Sequence, residues 1–379
     1  TPLLDTHLRQ ASLNSHLIRR SWLGRDTRSH LLRILGQSAL PSRQPQVDHP
    51  GMTYPRSMTV DPEEPGFYHC ISRCVRRAWL CGDDPYTRRN FDHRRAWIEV
   101  RLAELGDVFA VGILAWAVMS NHTHLVLRVD PRRPWQWSDE EVAERWLRLI
   151  CTDADKVQDA AEQARAAALL GAPERLEQVR ERLGSLSWFM RYLNESIARR
   201  ANAEDECTGR FWEGRFRCQA LIDEHAVLAA MTYVDLNPVR AGLVDEPVQG
   251  DFTTIQLRMK SVESGRTAPD EPLRAIVGIK DDNAPAITVA AYISLVVWSS
   301  QLPRNRRRGR NLEGAEDKSG PEGSPPAALA AIRGSPRWWR TCVGSIESAF
   351  GTAVGLPGRL RARAVALGRK RAIGTKIPE

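Results

Sequence analysis

The chain has 379 residues, 42% hydrophobic and 26% charged, with a formal net charge of +8, enough for one large domain or two ordinary ones. Its lysines are few (Lys156, Lys260, Lys280, Lys318, Lys370 and Lys376), so the positive excess is carried by arginine; it suits a polyanion such as nucleic acid, although biased coding composition inflates arginine too. No run of eighteen apolar residues offers a transmembrane helix, nothing resembles a secretory signal, and seven cysteines without a C-x-x-C are expected as free thiols in a reducing cytoplasm.

Residues 1–57 contain no Glu, no Lys and eight Arg, with a Pro/Ser/Gln-rich patch around Pro41-Ser42-Arg43-Gln44-Pro45. They are expected to be a disordered or non-native leader, with the natural start near Met52 or Met58. Deleting residues 1–51 should leave folding and activity intact. Residues 58–260 are expected to be the main domain, 261–326 an extension and linker, and 327–379 a small helical segment with a basic tail.

Gly66 to Val75 reads as a strand, and Thr87 to Leu105 has helical spacing closed by Gly106. Val108 to Met119 is a second strand. A polar turn at Ser120-Asn121 suggests a hairpin into a third, which opens on His122-Thr123-His124 and continues through Leu125, Val126, Leu127 and Val129. Strand side chains alternate, so both imidazoles face one way and can share a divalent ion; equally, they can be a plain pair of surface or packed histidines. Cys70, Cys74 and Cys81 with His69 have unusual spacing for zinc.

Helical patterns follow: one capped at Ser138 with an acidic first turn, an Ala-, Arg- and Glu-rich stretch over Asp153–Leu183 expected to be exposed, and an amphipathic helix over Leu186–Ala203. Phe211 to Ile222 reads as a strand. Around it Arg210, Arg215 and Arg217 alternate with Phe211, Trp212 and Phe216. Cations beside aromatics suit the phosphates and unstacked bases of a single strand; an edge strand with inward aromatics and solvated arginines reads equally well. Arg199, Arg200 and Arg240 are plausible phosphate contacts, and Arg73, Arg76 and Arg77 weaker ones.

Asp223 should cap a helix running to about Leu236, with His225, Ala229 and Tyr233 on one face. A tyrosine there is ordinarily a half-buried packing residue. Asn237-Pro238 should start a short helix ending near Gly242. Ile287 to Trp298 is strongly apolar, Arg304 to Arg310 is a basic run before a linker, Ala327 to Val354 could form helices around Trp338 and Trp339, and Arg359 to Lys376 is a basic tail. The order of elements predicts an α+β fold, an antiparallel sheet with helices on one face.

The His122-Thr123-His124 strand followed at distance by Tyr233 in YVDLNPVRAGLV resembles the single-tyrosine HUH transposases, in particular the IS200-like group that includes the REP-associated tyrosine transposases. FYHCISR at Phe67–Arg73, GRFWEGRFR at Gly209–Arg217 and FTTIQLR at Phe252–Arg258 extend the resemblance over roughly residues 59–260. The resemblance implies a ferredoxin-like antiparallel sheet and cleavage of single-stranded DNA at hairpin-flanked sites. It implies Tyr233 as nucleophile, forming a 5′-phosphotyrosine link and releasing a 3′-hydroxyl. It also implies Mg2+ or Mn2+ held by His122, His124 and a third ligand one helical turn beyond the tyrosine, which falls on Asn237. Asn237 equally suits the cap of the next helix, and Asp235 and His225 are weaker candidates. Relatives include monomers and homodimers. Two rivals stand beside this reading: a hairpin-DNA-binding regulator without chemistry, and a metal-dependent nuclease without a covalent intermediate.

Overall fold

The computed structural model describes residues 56–75, 79–84, 87–150, 160–280, 285–302 and 336–368. All belong to one compact unit, Pro55–Glu379. Residues 1–55 of the expected leader, Arg76, Arg77 and residues 303–335, which hold the Arg304–Arg310 run and most of the expected linker, lie outside the described residues.

The core is a six-stranded sheet in the order β5-β2-β3-β1-β4-β6. Its strands are β1 (Gly66–Arg73), β2 (Val111–Val118), β3 (His122–Val129), β4 (Arg217–Leu221), β5 (Val277–Gly278) and β6 (Ala353–Val354). Neighbours are antiparallel except for β4 and β6, which run parallel through Ala220↔Ala353 and Leu221↔Val354. The Ser120-Asn121 turn joins β2 to β3, as the sequence predicts. The strand expected from Phe211 begins only at Arg217, because Phe211 and Phe216 turn inward and are buried; upstream, Trp212 keeps a single bridge to Cys74.

All eight residues of β2 are buried, and so are seven of the eight in β3. A strand that is apolar at every position needs cover on both faces, and the sheet has it. The expectation of helices on one face is corrected accordingly. On one face lie α1 (His93–Val108) and α5 (Leu186–Glu204): Trp116 Nε1 donates to Glu99 of α1 at 3.4 Å, and Asn194 Nδ2 of α5 donates to Ser72 Oγ at 2.9 Å. Between β3 and α5 come α2 (Asp139–Ile150), α3 (Ala160–Leu170) and α4 (Pro173–Leu183). The stretch expected to be exposed is so only in part, since α4 buries Leu176, Val179 and Leu183.

The opposite face carries α6 (Glu224–Asp235), followed by the short α7 (Asn237–Ala241), which ends at Gly242 with φ +71°, a left-handed cap that glycine adopts without strain. Beyond these, α8 (Thr254–Glu263), α9 (Val289–Ser300) and α10 (Pro336–Ala349) complete the layer, and α11 (Pro357–Ala366) follows β6. Trp338, Trp339, Cys342, Val343 and Ile346 of α10 are buried in one cluster with α6, Val126 and Leu221. Among the described residues no helix is long and apolar enough to cross a membrane.

Candidate functional site

The strand register decides which side chains meet. The pairs Arg73↔His122, Ile71↔His124, His69↔Gln219 and Ile71↔Arg217 place Arg73, His69, His122, His124, Gln219 and Arg217 on one face of the sheet, the one under α6 and α10. His122 and His124 do share a face, with ring centroids 4.7 Å apart. Tyr233, near the C-terminal end of α6, lies edge-on to His124 at 5.7 Å and to His69 at 5.9 Å. Tyr233 and His122 open onto a cavity of about 600 Å³, also lined by Arg73, Asn237, Arg240, Arg340 and Glu347.

A residue without any sequence signal sits at the centre. Glu347, from α10, accepts a hydrogen bond from the Tyr233 hydroxyl at 2.8 Å. Its Oε1 stands 3.7 Å from His124 Nε2, and its Oε2 3.8 Å from Arg217 Nη1. No motif surrounds Glu347; only the packing of α10 on α6 brings it here.

The proton positions follow from the partners. Gln219 Nε2 donates to the carbonyls of Phe350 and Gly351, each at 3.0 Å, and lies 3.4 Å from that of Ile346. That fixes its amide orientation, so Gln219 Oε1 faces His69 Nδ1 at 3.1 Å and can only accept. His69 Nε2 is then the bare nitrogen, and His124 Nδ1, 3.1 Å away, donates to it. His124 Nε2 is left with a lone pair; it is buried and without a hydrogen-bond partner. His122 Nδ1 is similarly engaged by Asn121 Oδ1 at 2.6 Å. Burial, with Arg73 beside it, lowers the His122 pKa to about 4. Burial, with His122, His69 and Arg73 nearby, holds His124 well below the ordinary range, and burial also lowers His69. All three rings are neutral at pH 7. Burial raises the Tyr233 phenol, and the Glu347 carboxylate raises it further, while Arg240 opposes them with its guanidinium 5.4 Å from the ring.

Asn237 lines the cavity, and its Nδ2 donates to the Tyr233 carbonyl at 3.3 Å, which turns its Oδ1 away from that carbonyl. The weaker ligand candidates lie elsewhere. Asp235 is fully enclosed, accepting from Thr254 Oγ1 (2.5 Å), Ile255 N (3.0 Å) and Tyr292 Oη (2.5 Å), and burial raises its pKa to about 6. It ties α6 to α8 and α9. His225 sits two turns before Tyr233, edge-on to Trp338.

Of the arginines singled out in sequence, Arg240 and Arg73 line the cavity and Arg217 reaches it through Glu347. The others do not join them. Arg199 is ion-paired with Glu195, Arg200 lies 3.9 Å over the Trp97 ring, and Arg210 donates to the Glu213 carbonyl at 3.3 Å. Trp212, whose Nε1 donates to the Asn194 carbonyl at 2.8 Å, lines a separate groove with Arg215 and Trp188. His69, Gln219 and Arg340 are cavity or support residues that sequence reasoning missed. For His69 a signal existed, its alternation with Ile71 and Arg73 in a strand able to pair with the histidine strand.

A two-histidine site takes its further donors from an amide, carboxylate, phosphate or water. Here the orphaned His124 Nε2, the His122 Nε2 left bare by the engagement of Nδ1 with Asn121, and the adjoining Glu347 carboxylate and Asn237 amide fit a hard divalent ion. Among the described residues no three His, Cys, Asp or Glu side chains are drawn together tightly enough to hold a metal by themselves.

No family model matches the chain, and no curated protein matches it. A solved structure of a REP-associated tyrosine transposase bound to a REP hairpin is similar to it at 12% identity and a TM-score of 0.32, over 63% of this chain and 97% of the other. A likeness that slight supports neither fold nor function.

Proposed function

We propose that the chain is a metal-dependent, single-tyrosine endonuclease and strand transferase acting on single-stranded DNA at hairpin-flanked sites. On this reading the β2-β3-β1-β4 core is a ferredoxin-like sheet of the HUH type. One observation carries the reading: the histidine strand and the tyrosine helix, far apart in sequence, bring His122 and Tyr233 to one cavity lined by arginines, with His124 buried directly behind them against both rings. Tyr233 is only 9% exposed, yet its hydroxyl is spent on a carboxylate beside the histidine pair and not on the core.

His122, His124 and Asn237 would hold the ion, with Glu347 as a further donor. Mg2+ or Mn2+, when bound, supplies positive charge at the phosphoryl oxygens. Tyr233 Oη would attack the phosphorus; the bond from phosphorus to the 3′ oxygen breaks, the tyrosine keeps the 5′-phosphate, and a 3′-hydroxyl leaves. Glu347, already accepting the phenol's hydrogen bond, is the group at hand for the phenolic proton. Arg240 and Arg73 would hold the phosphate. Burial and Glu347 both disfavour a phenolate in the resting site, so the attack requires added positive charge.

The test is a denaturing gel with labelled single-stranded hairpin DNA and Mn2+. A band shifted by covalent protein is expected, and none with a perfect duplex, whose stacked backbone does not present its phosphate to a recessed site. Absence of cleavage would leave a binding regulator, and cleavage without a shift would leave a hydrolytic nuclease.

A further inference from the structure

The pair that supports His124 from beneath is not part of the reaction just proposed. His69 and Gln219 are both buried, on adjacent strands β1 and β4. Buried polar side chains cost free energy unless their partners are in place. Here every partner is in place except at one atom, His124 Nε2. The chain of donors runs in one direction: Gln219 Nε2 to the carbonyls at the end of α10 and beyond it, His69 Nδ1 to Gln219 Oε1, and His124 Nδ1 to His69 Nε2. A neutral imidazole has one donor and one acceptor, so fixing one end of the chain fixes the other.

We infer that Gln219 and His69 are positioning residues that lock His124 in its Nδ1–H tautomer and so keep Nε2 bare for a cation, with the carbonyls of Phe350 and Gly351 as the anchor of the lock. The lock needs the C-terminal segment in place, because without those carbonyls the Gln219 amide is free to flip. A flipped amide presents N–H to His69 Nδ1, His69 then carries its proton on Nε2, and His124 Nδ1 is forced to accept. The proton of His124 moves to Nε2 and the lone pair beside the Glu347 carboxylate is lost. Supporting partners of this kind, beneath a metal-ligating histidine, are typically worth about 10- to 100-fold in metal affinity. The two rings lie nearly coplanar, 14° between planes, and their 3.1 Å N···N contact leaves no room for a water between them.

This inference rests on the proposed reading only for the identity of the cation; the tautomer itself is measured without metal or DNA. Long-range proton–nitrogen correlation on imidazole-labelled, metal-free protein should give Nδ1–H, bare Nε2 for both His69 and His124. A His124 protonated on Nε2 in the wild-type protein overturns the inference, whatever the protein does to DNA. The second measurement is Mn2+ binding, followed by the loss of the free-ion electron paramagnetic resonance signal. His69→Leu removes the acceptor and should weaken Mn2+ binding about 10- to 100-fold. His69→Gln, which again offers an acceptor to His124 and an N–H to Gln219, should recover most of it. Unchanged Mn2+ affinity in folded His69→Leu overturns the inference. If His69→Leu does not fold, the wild-type tautomer decides alone. Wild-type protein with the expected tautomers but no Mn2+ binding overturns the metal-dependent function and, with it, the purpose of the lock.

Discussion

Tyr233→Phe keeps the ring against His69, His124 and Arg240 and removes only the hydroxyl that Glu347 accepts. Loss of that bond to a carboxylate should change stability by no more than about 3 kcal/mol in a urea melt, whereas the protein–DNA adduct should vanish. The other tyrosines of the matching region are poor substitutes. Tyr68 points to the opposite face of the sheet, buried enough that its phenol is pushed up to about 12. Tyr192 packs among Trp146 and Trp188. DNA mapped to either would defeat the assignment. A second residue makes a pH prediction away from the site. Burial raises the Glu99 carboxyl to about 7, against an ordinary 4.5 for a glutamate in water. The folded state therefore binds more protons than the unfolded one between these values. Stability contributed by the neutral carboxyl is full below about pH 4.5 and is lost as pH rises through about 7. Glu99→Gln should flatten this slope and raise stability at pH 8 by roughly 1–3 kcal/mol. An unchanged slope in denaturant midpoints against pH would refute it.

At the scale of the element, α6 is the part on which the site depends. Asp223 caps it, Oδ1 accepting from Ala226 N at 2.8 Å, while Oδ2 accepts from Leu356 N at 2.7 Å between β6 and α11. One carboxylate thus pins both the tyrosine helix and the C-terminal segment. Asp223→Ala should cost about 2–3 kcal/mol, more than the usual cap loss, since two backbone N–H groups lose their acceptor; a loss below about 1 kcal/mol in equilibrium unfolding would mean the two ties are not both made. Much of this element is legible in sequence, because a cap, a helical period, Asn-Pro and a terminal glycine are local signals. The histidine strand is legible for the same reason, its apolar run and its alternation lying within eight residues. Glu347 and Gln219 are not, because their roles come from partners 114 and 150 positions away, Tyr233 and His69. Helical cover on both faces was likewise hidden, since a continuous apolar strand is equally compatible with several partners until the chain closes.

For the whole molecule, the net charge is +8, and the cavity shares that sign: Arg73, Arg240 and Arg340 line it with one carboxylate, Glu347. Single-strand affinity should fall with salt by roughly 0.7 log units per tenfold salt for each phosphate neutralised, and Arg340→Ala should reduce that slope by about one such step. The cavity wall offers a sharper test. Gly344 sits within α10, and a Cβ built on it meets nothing within 4 Å. Gly344 lies beside the kink of α10 at Ser345, where the space above it is open, so Gly344→Phe should fold while its ring fills the cavity. Single-strand binding should drop more than about tenfold, a loss of some 1.4 kcal/mol of binding free energy. Unaltered binding, read by fluorescence anisotropy, would place the strand elsewhere.

The dependence of the cavity on α10 has a consequence in time. A ribosome adding about 5–20 residues per second needs roughly 6–23 s to travel from Tyr233 to Glu347, 114 positions later. Throughout that interval the nascent chain owns its histidines and its tyrosine but neither the carboxylate between them nor the carbonyls that orient Gln219. A chain released early, by a premature stop or a broken message, carries the same residues in an unfinished cavity. On the proposed function, the chemistry would be withheld until translation has passed the last contributor to the cavity, and completeness of synthesis would be a condition of activity.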